Sequence, residues 1–375
     1  MATGSPSPIS QQPPPRVLIY LPSWLGDTVM ATPAMALVRH ALPRSVLVAL
    51  GRPGMNELLS GLDWIDDVLI ADGRSTLGPA KVAARLRAMR LDAALLLPNS
   101  FSSALTVRLA GIERRVGYDR DGRGAFLTHK LDPLKRPAPH KGYQPMSAVD
   151  YYLDAARALL VALHATPAQE PPARLLLATT LPEERLADEV LAKGGIGPQE
   201  PFALLNPGGN NPAKRWPVER FAALAHHLIT VHKLKVAING SPAESELVGT
   251  IQQAIELNHP EDGNRVACLP ELGGTIGSLK ATLKRARVMV TNDTGPRHIA
   301  AAFNTPTVAL FGPTDPRWTT LPLSFTRPGV PREVVLVADP TLPPQEVADD
   351  HPSRCAIEGI GLGDVVAAVD RVLAH

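Results

Sequence analysis

Apolar positions along the chain follow two alternating periods. Short runs of consecutive apolar residues, typical of buried strands, are separated by segments in which apolar residues recur every three or four positions, as in helices. This alternation predicts an α/β fold built from parallel sheets covered by helices. In the first half the pattern predicts strands at 16–21, 45–50, 68–70, 92–97 and 114–118.

A proline-rich break divides the chain into two predicted domains. A helix is predicted over 144–163, and the segment 165–184 then interrupts the pattern with several prolines. We therefore predict an N-terminal domain over 16–178 and a C-terminal domain over 179–375. In the second domain the pattern predicts strands at 202–205, 235–239, 287–291 and 307–311, and a closing C-terminal helix at 361–374.

Composition narrows the class of protein. The chain has 375 residues, 45% of them hydrophobic, and a net charge of +2, which suits two globular domains and argues against a dedicated nucleic-acid binder. Residues 1–15 are rich in Pro, Ser and Gln and are predicted to form a disordered tail without a secretory signal. No apolar run reaches the ~20 residues of a membrane span, so any membrane association is expected to be peripheral.

A glycine-rich turn in the second domain is the first candidate ligand site. The apolar run 202–205 leads into the letters NPGG, where backbone amides can approach an anion closely. Lys214 and Arg215 follow, and a helix is predicted to begin at Trp216. By itself this pattern fits either a phosphate site or an ordinary turn whose cations face solvent.

The loop after the first predicted strand is a second candidate, because doubly wound sheets bind ligands at the carboxyl ends of their strands. Gly26 permits a tight turn there, and Asp27 is predicted to start a helix as its N-cap. The helix dipole would favour the ionised carboxylate and lower its pKa, which leaves Asp27 a weak base. The pattern alone fits a cap or a catalytic group.

The third candidate is the loop after the predicted strand 287–291. It runs through Asp293, Thr294 and Gly295 into a helix that carries His298, and such a helix start can bind anions. Asp-Thr-Gly also occurs in aspartic proteases, but their catalytic loop belongs to a β-rich fold and needs a second copy, which argues against a protease. His298 alone fits either a packed histidine or a site residue.

Metal chemistry has little support in the sequence. The triplet Asp119-Arg120-Asp121 has the form that holds a divalent ion against a nucleotide sugar, but it lies in a glycine-rich stretch typical of a surface turn. Cys268 and Cys355 form no CxxC pair. We therefore expect no metal and no other cofactor.

Several motifs in fixed order resemble a known family. They span nearly the whole chain from residue 16 onward and read PSWLGDTVMATP, LLLPNSFSSAL, AGIERRVGY, NPGGNNPAKRWP, NDTGPRHIAAAFNTPTVALFGPT and HPSRCAIEGI. These motifs are similar to those of the lipopolysaccharide heptosyltransferases of glycosyltransferase family 9. PSWLGD, LPNSFSSAL and PAKRWP most resemble the type II members, which use ADP-heptose to add the second inner-core heptose.

The resemblance implies a GT-B architecture, in which two Rossmann-like doubly wound domains face each other across a cleft. The N-terminal domain would bind the acceptor and the C-terminal domain the nucleotide sugar. The implied reaction is inverting, metal-independent transfer of heptose from ADP-L-glycero-β-D-manno-heptose to the first heptose of the lipopolysaccharide inner core. The implied partners are an ADP-sugar, a lipid A-core acceptor and the inner face of the bacterial inner membrane, where a cytoplasmic enzyme would work peripherally.

The matched motifs also imply residue roles. Asp27 would be the general base acting on the acceptor hydroxyl, and Lys214 would neutralise the departing diphosphate. The residues implied to bind the sugar donor are Asn206, Gly208, Lys214, Asp293, Thr294, Gly295 and His298. Acceptor-binding candidates in the N-terminal domain, which also fit solvated surface positions, are Asn99, Ser100, Arg120, Arg123, His140 and Lys141.

One residue and one segment depart from the family pattern. Arg297 either contacts phosphate or faces water, and the proline-rich segment 324–350 has no secure counterpart.

Three classes of function stay open. The first function is heptosyl transfer, or transfer with another acceptor or nucleotide sugar. The second is a GT-B sugar-nucleotide epimerase, and the third is a non-catalytic, two-domain protein that binds a sugar nucleotide.

Overall fold

A computed structural model describes residues 13–71, 78–138, 140–323 and 332–374, which form twelve strands and twelve α-helices. The strands are β1 (Arg16–Tyr20), β2 (Val46–Gly51), β3 (Asp67–Ile70), β4 (Ala93–Leu96), β5 (Arg114–Tyr118), β6 (His129–Leu131), β7 (Phe202–Asn206), β8 (Lys235–Ile238), β9 (Val266–Cys268), β10 (Val288–Asn292), β11 (Thr307–Phe311) and β12 (Glu333–Val337). The helices are α1 (Leu25–Met30), α2 (Thr32–Ala41), α3 (Met55–Leu59), α4 (Gly78–Ala88), α5 (Phe101–Leu109), α6 (Ala148–Ala162), α7 (Leu181–Lys193), α8 (Val218–Thr230), α9 (Ser245–Asn258), α10 (Ile276–Arg285), α11 (Gly295–Ala302) and α12 (Leu362–Leu373).

The strands form two six-stranded parallel sheets with the same topology. The first sheet has the order β3-β2-β1-β4-β5-β6, and the second has the order β9-β8-β7-β10-β11-β12. Numbered within its own sheet, each follows the 3-2-1-4-5-6 order of the Rossmann fold. The predicted α/β fold with two doubly wound domains is therefore confirmed.

The central strands are buried on both faces, which explains their unbroken apolar sequence. Every residue of β4 and of β7 is buried. The sequence pattern missed β6, β9 and β12, and all three are edge strands. Strands β6 and β9 have only three residues each, too few to establish a period, and β12 lies inside the proline-rich segment 324–350.

Helices cover both sheets and join the domains. Helix α6 packs against α2 and the first sheet, whereas α8, α9 and α12 cover the second. One apolar cluster includes Val17 and Val38 of the first domain together with Met289 and Ile299 of the second. Helix α1 contacts α11, and α3 contacts α10, so the two domains meet along their strand-end loops.

The connection between the domains contains no helix or strand from residue 164 to residue 180. The amide of Leu176 donates to Thr32 of the first domain at 2.9 Å, whereas Thr179 accepts from Lys284 of the second at 3.1 Å. Residue 176 is thus bonded to the first domain and residue 179 to the second. The predicted tail 1–15 lies outside the described residues except for 13–15, and no helix in the described part of the chain is long and apolar enough to cross a bilayer.

Candidate active site

A cleft of about 900 Å³ lies between the two domains. Its walls are the loops at the carboxyl ends of β1, β7, β8, β9 and β10, as expected for two doubly wound sheets that face each other. The structure brings the predicted base and all predicted donor-binding residues to this cleft: Asp27, Asn206, Gly208, Lys214, Asp293, Thr294, Gly295 and His298.

Asp27 lies inside the first turn of α1. The helix begins at Leu25 and its N-cap is Trp24, so the prediction that Asp27 is the N-cap was wrong. Burial raises the pKa of the Asp27 carboxyl, although the hydroxyl of Tyr152, which donates to its Oδ1 at 3.1 Å, lowers it. The net pKa is raised, contrary to the expectation from the helix dipole, because desolvation outweighs local hydrogen bonding. A carboxylate with a raised pKa is a better proton acceptor.

Lys214 is held by a carboxylate on the same side of the cleft. Its Nζ is 2.9 Å from Oδ2 of Asp293, which also accepts from the Thr314 hydroxyl at 3.0 Å. Burial alone would raise the pKa of Asp293, but the ammonium of Lys214 lowers it below its usual value. The pair is therefore ionised, and Asp293 fixes the position of the Lys214 ammonium.

A side-chain network orders the start of α11. The amide nitrogen of Asn206 donates to the hydroxyls of Thr291 at 3.0 Å and Thr294 at 2.9 Å, and its oxygen accepts from Asn239 at 2.7 Å. Thr294 is the N-cap of α11, yet its side chain makes no capping hydrogen bond. Pro296 has no N–H and the amide of Arg297 donates to the Thr294 carbonyl at 3.1 Å, so at this helix start the amide of Gly295 is the group that can face an anionic ligand.

His298 lies where the two domains touch. Burial, reinforced by the charge of Arg297, lowers the pKa of His298 to about 3, so the imidazole is neutral. Among the described residues its Nδ1 has no hydrogen-bond partner. A Cβ added at Gly26 would lie 2.4 Å from Cδ2 of His298 and 3.3 Å from Cα of Gly295. Only glycine fits this contact between α1 and α11.

The glycine-rich turn is supported by two charged side chains. Glu244, which the sequence analysis missed, accepts from the amide of Gly209 at 2.8 Å, and a Cβ at Gly208 would lie 2.2 Å from its Oε1. Arg215 donates to the carbonyl of Gly209 at 2.8 and 3.0 Å and so stabilises the turn from within. The signal for Glu244 was the S-x-x-E capping box that starts at Ser241, directly after β8.

Arg297 neither faces water nor lines the cleft itself. Its guanidinium is 1% exposed and donates to both carboxylate oxygens of Glu333, at 2.6 and 2.9 Å, and to the hydroxyl of Thr319 at 3.0 Å. Glu333 is the first residue of β12. The ion pair therefore ties α11 to the edge strand that the sequence pattern missed.

A second cavity of about 730 Å³ adjoins the cleft, and Asp27 and Thr319 line both. Of the predicted acceptor-binding residues, Asn99 and Arg120 line this cavity. The guanidinium of Arg120 lies over the ring of Tyr143, 4.0 Å from its centroid, and its Nε has no partner among the described residues. Arg120, which also hydrogen-bonds the side chain of Tyr151, thus places a positive charge on the wall of the cavity.

The other four acceptor candidates do not line either cavity. Ser100 caps α5 by accepting from the amide of Ser103, and Arg123 is buried, where it donates to the Tyr118 carbonyl and the Asn99 side chain. His140 and Lys141 lie on the loop before α6. Tyr118, Tyr151 and Trp318 line the second cavity instead, but no motif distinguished these aromatic residues from core positions.

Comparisons with known proteins agree with this geometry. Residues 80–332 match the model of glycosyltransferase family 9 (heptosyltransferase). The chain belongs to glycosyltransferase family 9. It is 29% identical to lipopolysaccharide heptosyltransferase 2 of Escherichia coli, over 81% of this chain and 84% of that protein, and 28% identical to lipooligosaccharide heptosyltransferase 2 of Haemophilus influenzae, over 81% and 85%.

A solved structure resembles this family 9 glycosyltransferase over almost its full length. The structure of Escherichia coli ADP-heptose LPS heptosyltransferase II has a TM-score of 0.73 and 25% sequence identity, covering 96% of this chain and 98% of that one. The predicted GT-B arrangement of two Rossmann-like domains is therefore confirmed. The enzyme is a glycosyltransferase, as the resemblance implied.

The acidic residues of the Asp119-Arg120-Asp121 triplet have structural roles in this family 9 glycosyltransferase. Asp119 lies 3.7 Å from Lys130 and packs against Gly124, where an added Cβ would be 2.2 Å from its Oδ2. Asp121 adopts a left-handed turn conformation with φ of 53°. In the described part of the chain, two groups of acidic residues and histidines come close enough together to share a metal ion, and neither includes Asp119 or Asp121.

Proposed function

We propose that the protein transfers heptose from ADP-L-glycero-β-D-manno-heptose to the first heptose of the lipopolysaccharide inner core, by an inverting and metal-independent reaction. The observation that carries this proposal is the position of Asp27. It lies on α1 at the junction of two cavities, and Lys214 and the start of α11 lie across the cleft on the other domain. Similarity to relatives named heptosyltransferase 2 supports the choice of substrates.

The sugar donor fits the wall formed by the second domain. The ammonium of Lys214 and the Gly295 amide at the start of α11 offer positive charge to a diphosphate. The Glu244 carboxylate can accept hydrogen bonds from ribose hydroxyls, as carboxylates do in Rossmann domains. Beyond it the cleft is lined by the apolar side chains of Leu269 and Leu279, which suit a nucleobase.

The reaction requires a base on the side opposite the leaving group. Asp27 would remove the proton of an acceptor hydroxyl while that oxygen attacks the anomeric carbon. The bond from this carbon to the diphosphate oxygen breaks, and ADP leaves with the electron pair. Lys214 and the Gly295 amide would stabilise the negative charge that develops on the diphosphate. A single displacement from the opposite face inverts the anomeric configuration.

The acceptor fits the second cavity. Arg120 places a guanidinium charge on the wall of this cavity, which suits a phosphate or a carboxylate on an acidic core oligosaccharide. Because this acceptor is anchored in lipid, we place the enzyme peripherally at the inner face of the inner membrane. Donor and acceptor would then approach Asp27 from different cavities.

A transfer assay with the purified full-length enzyme tests the proposal. ADP-heptose and other nucleotide sugars are paired with Kdo-lipid A acceptors that carry no heptose or one heptose. We expect incorporation from ADP-heptose and only onto the monoheptosylated acceptor. Conversion of ADP-heptose without acceptor would instead favour an epimerase, and binding without turnover on any pair would favour a non-catalytic protein.

Replacing Tyr152 by Phe should shift the acid limb of the kcat/KM profile to higher pH. The Tyr152 hydroxyl stabilises ionised Asp27, so its loss raises the pKa of that carboxyl further. The base must be unprotonated, and a higher pKa therefore costs activity at a higher pH, by about one pH unit for a hydrogen bond to a charged group.

The measurement is kcat/KM from pH 5 to pH 9. Tyr151→Phe is the matched control, because the Tyr151 hydroxyl donates to Asn99 at 2.9 Å and not to Asp27. An acid limb that moves equally in both variants, or in neither, would contradict the role assigned to Tyr152.

A further inference from the structure

Two histidines and an aspartate converge on the outer side of the second domain. His227 lies in the last turn of α8, His232 follows that helix, and Asp370 lies near the end of α12. The Nε2 atoms of both imidazoles are 2.8 Å from the same oxygen, Oδ1 of Asp370. The three ligand atoms all lie within 4.8 Å of one another.

We propose that His227, His232 and Asp370 form a binding site for Zn²⁺ or a similar divalent transition-metal ion. Imidazole nitrogen and carboxylate oxygen are ligands that zinc prefers. Tetrahedral bonds of about 2.0–2.1 Å separate ligand atoms by about 3.3 Å, so the nitrogens need to move only about half an ångström from Asp370 Oδ1. Water can complete the coordination because the Asp370 side chain is 44% exposed.

A neighbouring histidine cluster lacks this geometry. The rings of His226 and His259 stack face to face, with centroids 3.6 Å apart and an interplanar angle of 12°. The lone pairs of a ring lie in the plane of that ring, so two parallel rings hold theirs in separate planes and cannot direct them to one point. Nδ1 of His226 instead hydrogen-bonds the buried Asp262 at 2.7 Å. The His227 and His232 rings meet at 72°, which allows their nitrogens to converge.

The location of the trio indicates a structural role for the ion. Helix α8 starts next to the Lys214 turn, at the carboxyl end of β7, and runs back along the sheet. Its last turn therefore lies near the amino ends of the strands, on the side of the sheet away from the cleft. None of the three ligands lines the cleft. The ion would join α8 to α12 across sequence separations of 138 and 143 residues. It would stabilise the second domain without taking part in sugar transfer.

Ion binding should depend on pH. Each imidazole must be neutral with its Nε2 lone pair free, so the proton that it now donates to Asp370 moves to Nδ1 or to solvent. Ion binding therefore releases protons, so the apparent affinity should fall as the pH is lowered.

A zinc titration of the chelator-treated full-length protein tests the site, with a chromophoric chelator as competitor. We expect one tight ion per chain, at least a tenfold loss of affinity in His232→Gln and in Asp370→Asn, and no loss in His226→Gln, the matched control. Zinc should raise the unfolding temperature of the wild type but not of His232→Gln. Co²⁺ bound to the wild type should give the visible absorption of a low-symmetry, near-tetrahedral site.

Three outcomes would overturn the proposal. They are the absence of saturable binding up to millimolar Zn²⁺, equal affinity of the wild type and both ligand variants, and loss of binding in His226→Gln alone. The last result would assign the ion to the neighbouring cluster. The proposal is independent of the reaction assigned to the cleft, since its readouts are affinity, unfolding temperature and absorption.

Discussion

Replacing Asp27 by Asn is expected to lower kcat by about 10²–10⁴-fold, the usual contribution of a positioned general base. The amide cannot accept the acceptor proton, but its oxygen can still accept the hydrogen bond from Tyr152, so the cleft should keep its shape. Affinity for ADP-heptose should be nearly unchanged, because the donor site that we propose lies on the other domain. The measurements are single-turnover rates and calorimetric binding of ADP-heptose.

Stability distinguishes loss of the base from loss of folding. The fold raises the pKa of the Asp27 carboxyl above its value in the unfolded chain and so disfavours the ionised form. The stabilising contribution of the protonated group is therefore present below the unfolded-state pKa and is lost as the pH rises through the folded-state pKa. Asp27→Asn should therefore unfold at the wild-type temperature or above at pH 8. Asp63→Asn, which removes an exposed carboxylate of the same domain that lines neither cavity, serves as the control and should retain turnover. Wild-type turnover in Asp27→Asn would refute the mechanism.

Replacing Lys214 by Gln is expected to reduce kcat/KM by about 10²–10³-fold. The substitution removes a positive charge from the leaving diphosphate, and it also leaves the ionised carboxylate of Asp293 unpaired beside that anion. Both effects act in the same direction. Steady-state kinetics with varied ADP-heptose measures the loss.

A double variant separates the two effects. In Lys214→Gln with Asp293→Asn the repulsive carboxylate is gone, so part of the lost kcat/KM should return although the stabilising charge is still missing. Lys284→Gln is the control, because this half-exposed lysine pairs with Glu184 away from the cleft. Purely additive losses in the double variant would show that Asp293 does not act through Lys214.

The sequence predicted the central strands because their burial on both faces leaves an uninterrupted apolar run, as in β7 and β10. It missed β12 because this short apolar run, EVVLV, lies within the proline-rich segment 324–350. The environment of Arg297 could not be predicted either, because its partner Glu333 is 36 positions away, in β12. Local sequence does not contain such long-range pairing.

Some features of the candidate site could also be predicted from the sequence, and others could not. Loop position and residue type pointed to Asp27, Lys214 and the start of α11, because ligands bind at the carboxyl ends of parallel strands. The direction of the Asp27 pKa could not be predicted, since it depends on burial between two domains and on Tyr152, which is 125 positions away. Arg123 resembled a surface cation in the sequence but is fully buried in the fold.

The contact between Gly26 and His298 also sets a mechanical limit. The imidazole ring fills the space that a side chain at position 26 would occupy, so its size limits how closely α1 can approach α11. The distance between Asp27 and the opposite wall of the cleft then depends on the thickness of one neutral ring. Larger residues at position 26 require a smaller one at position 298, and we expect these two positions to change together during evolution.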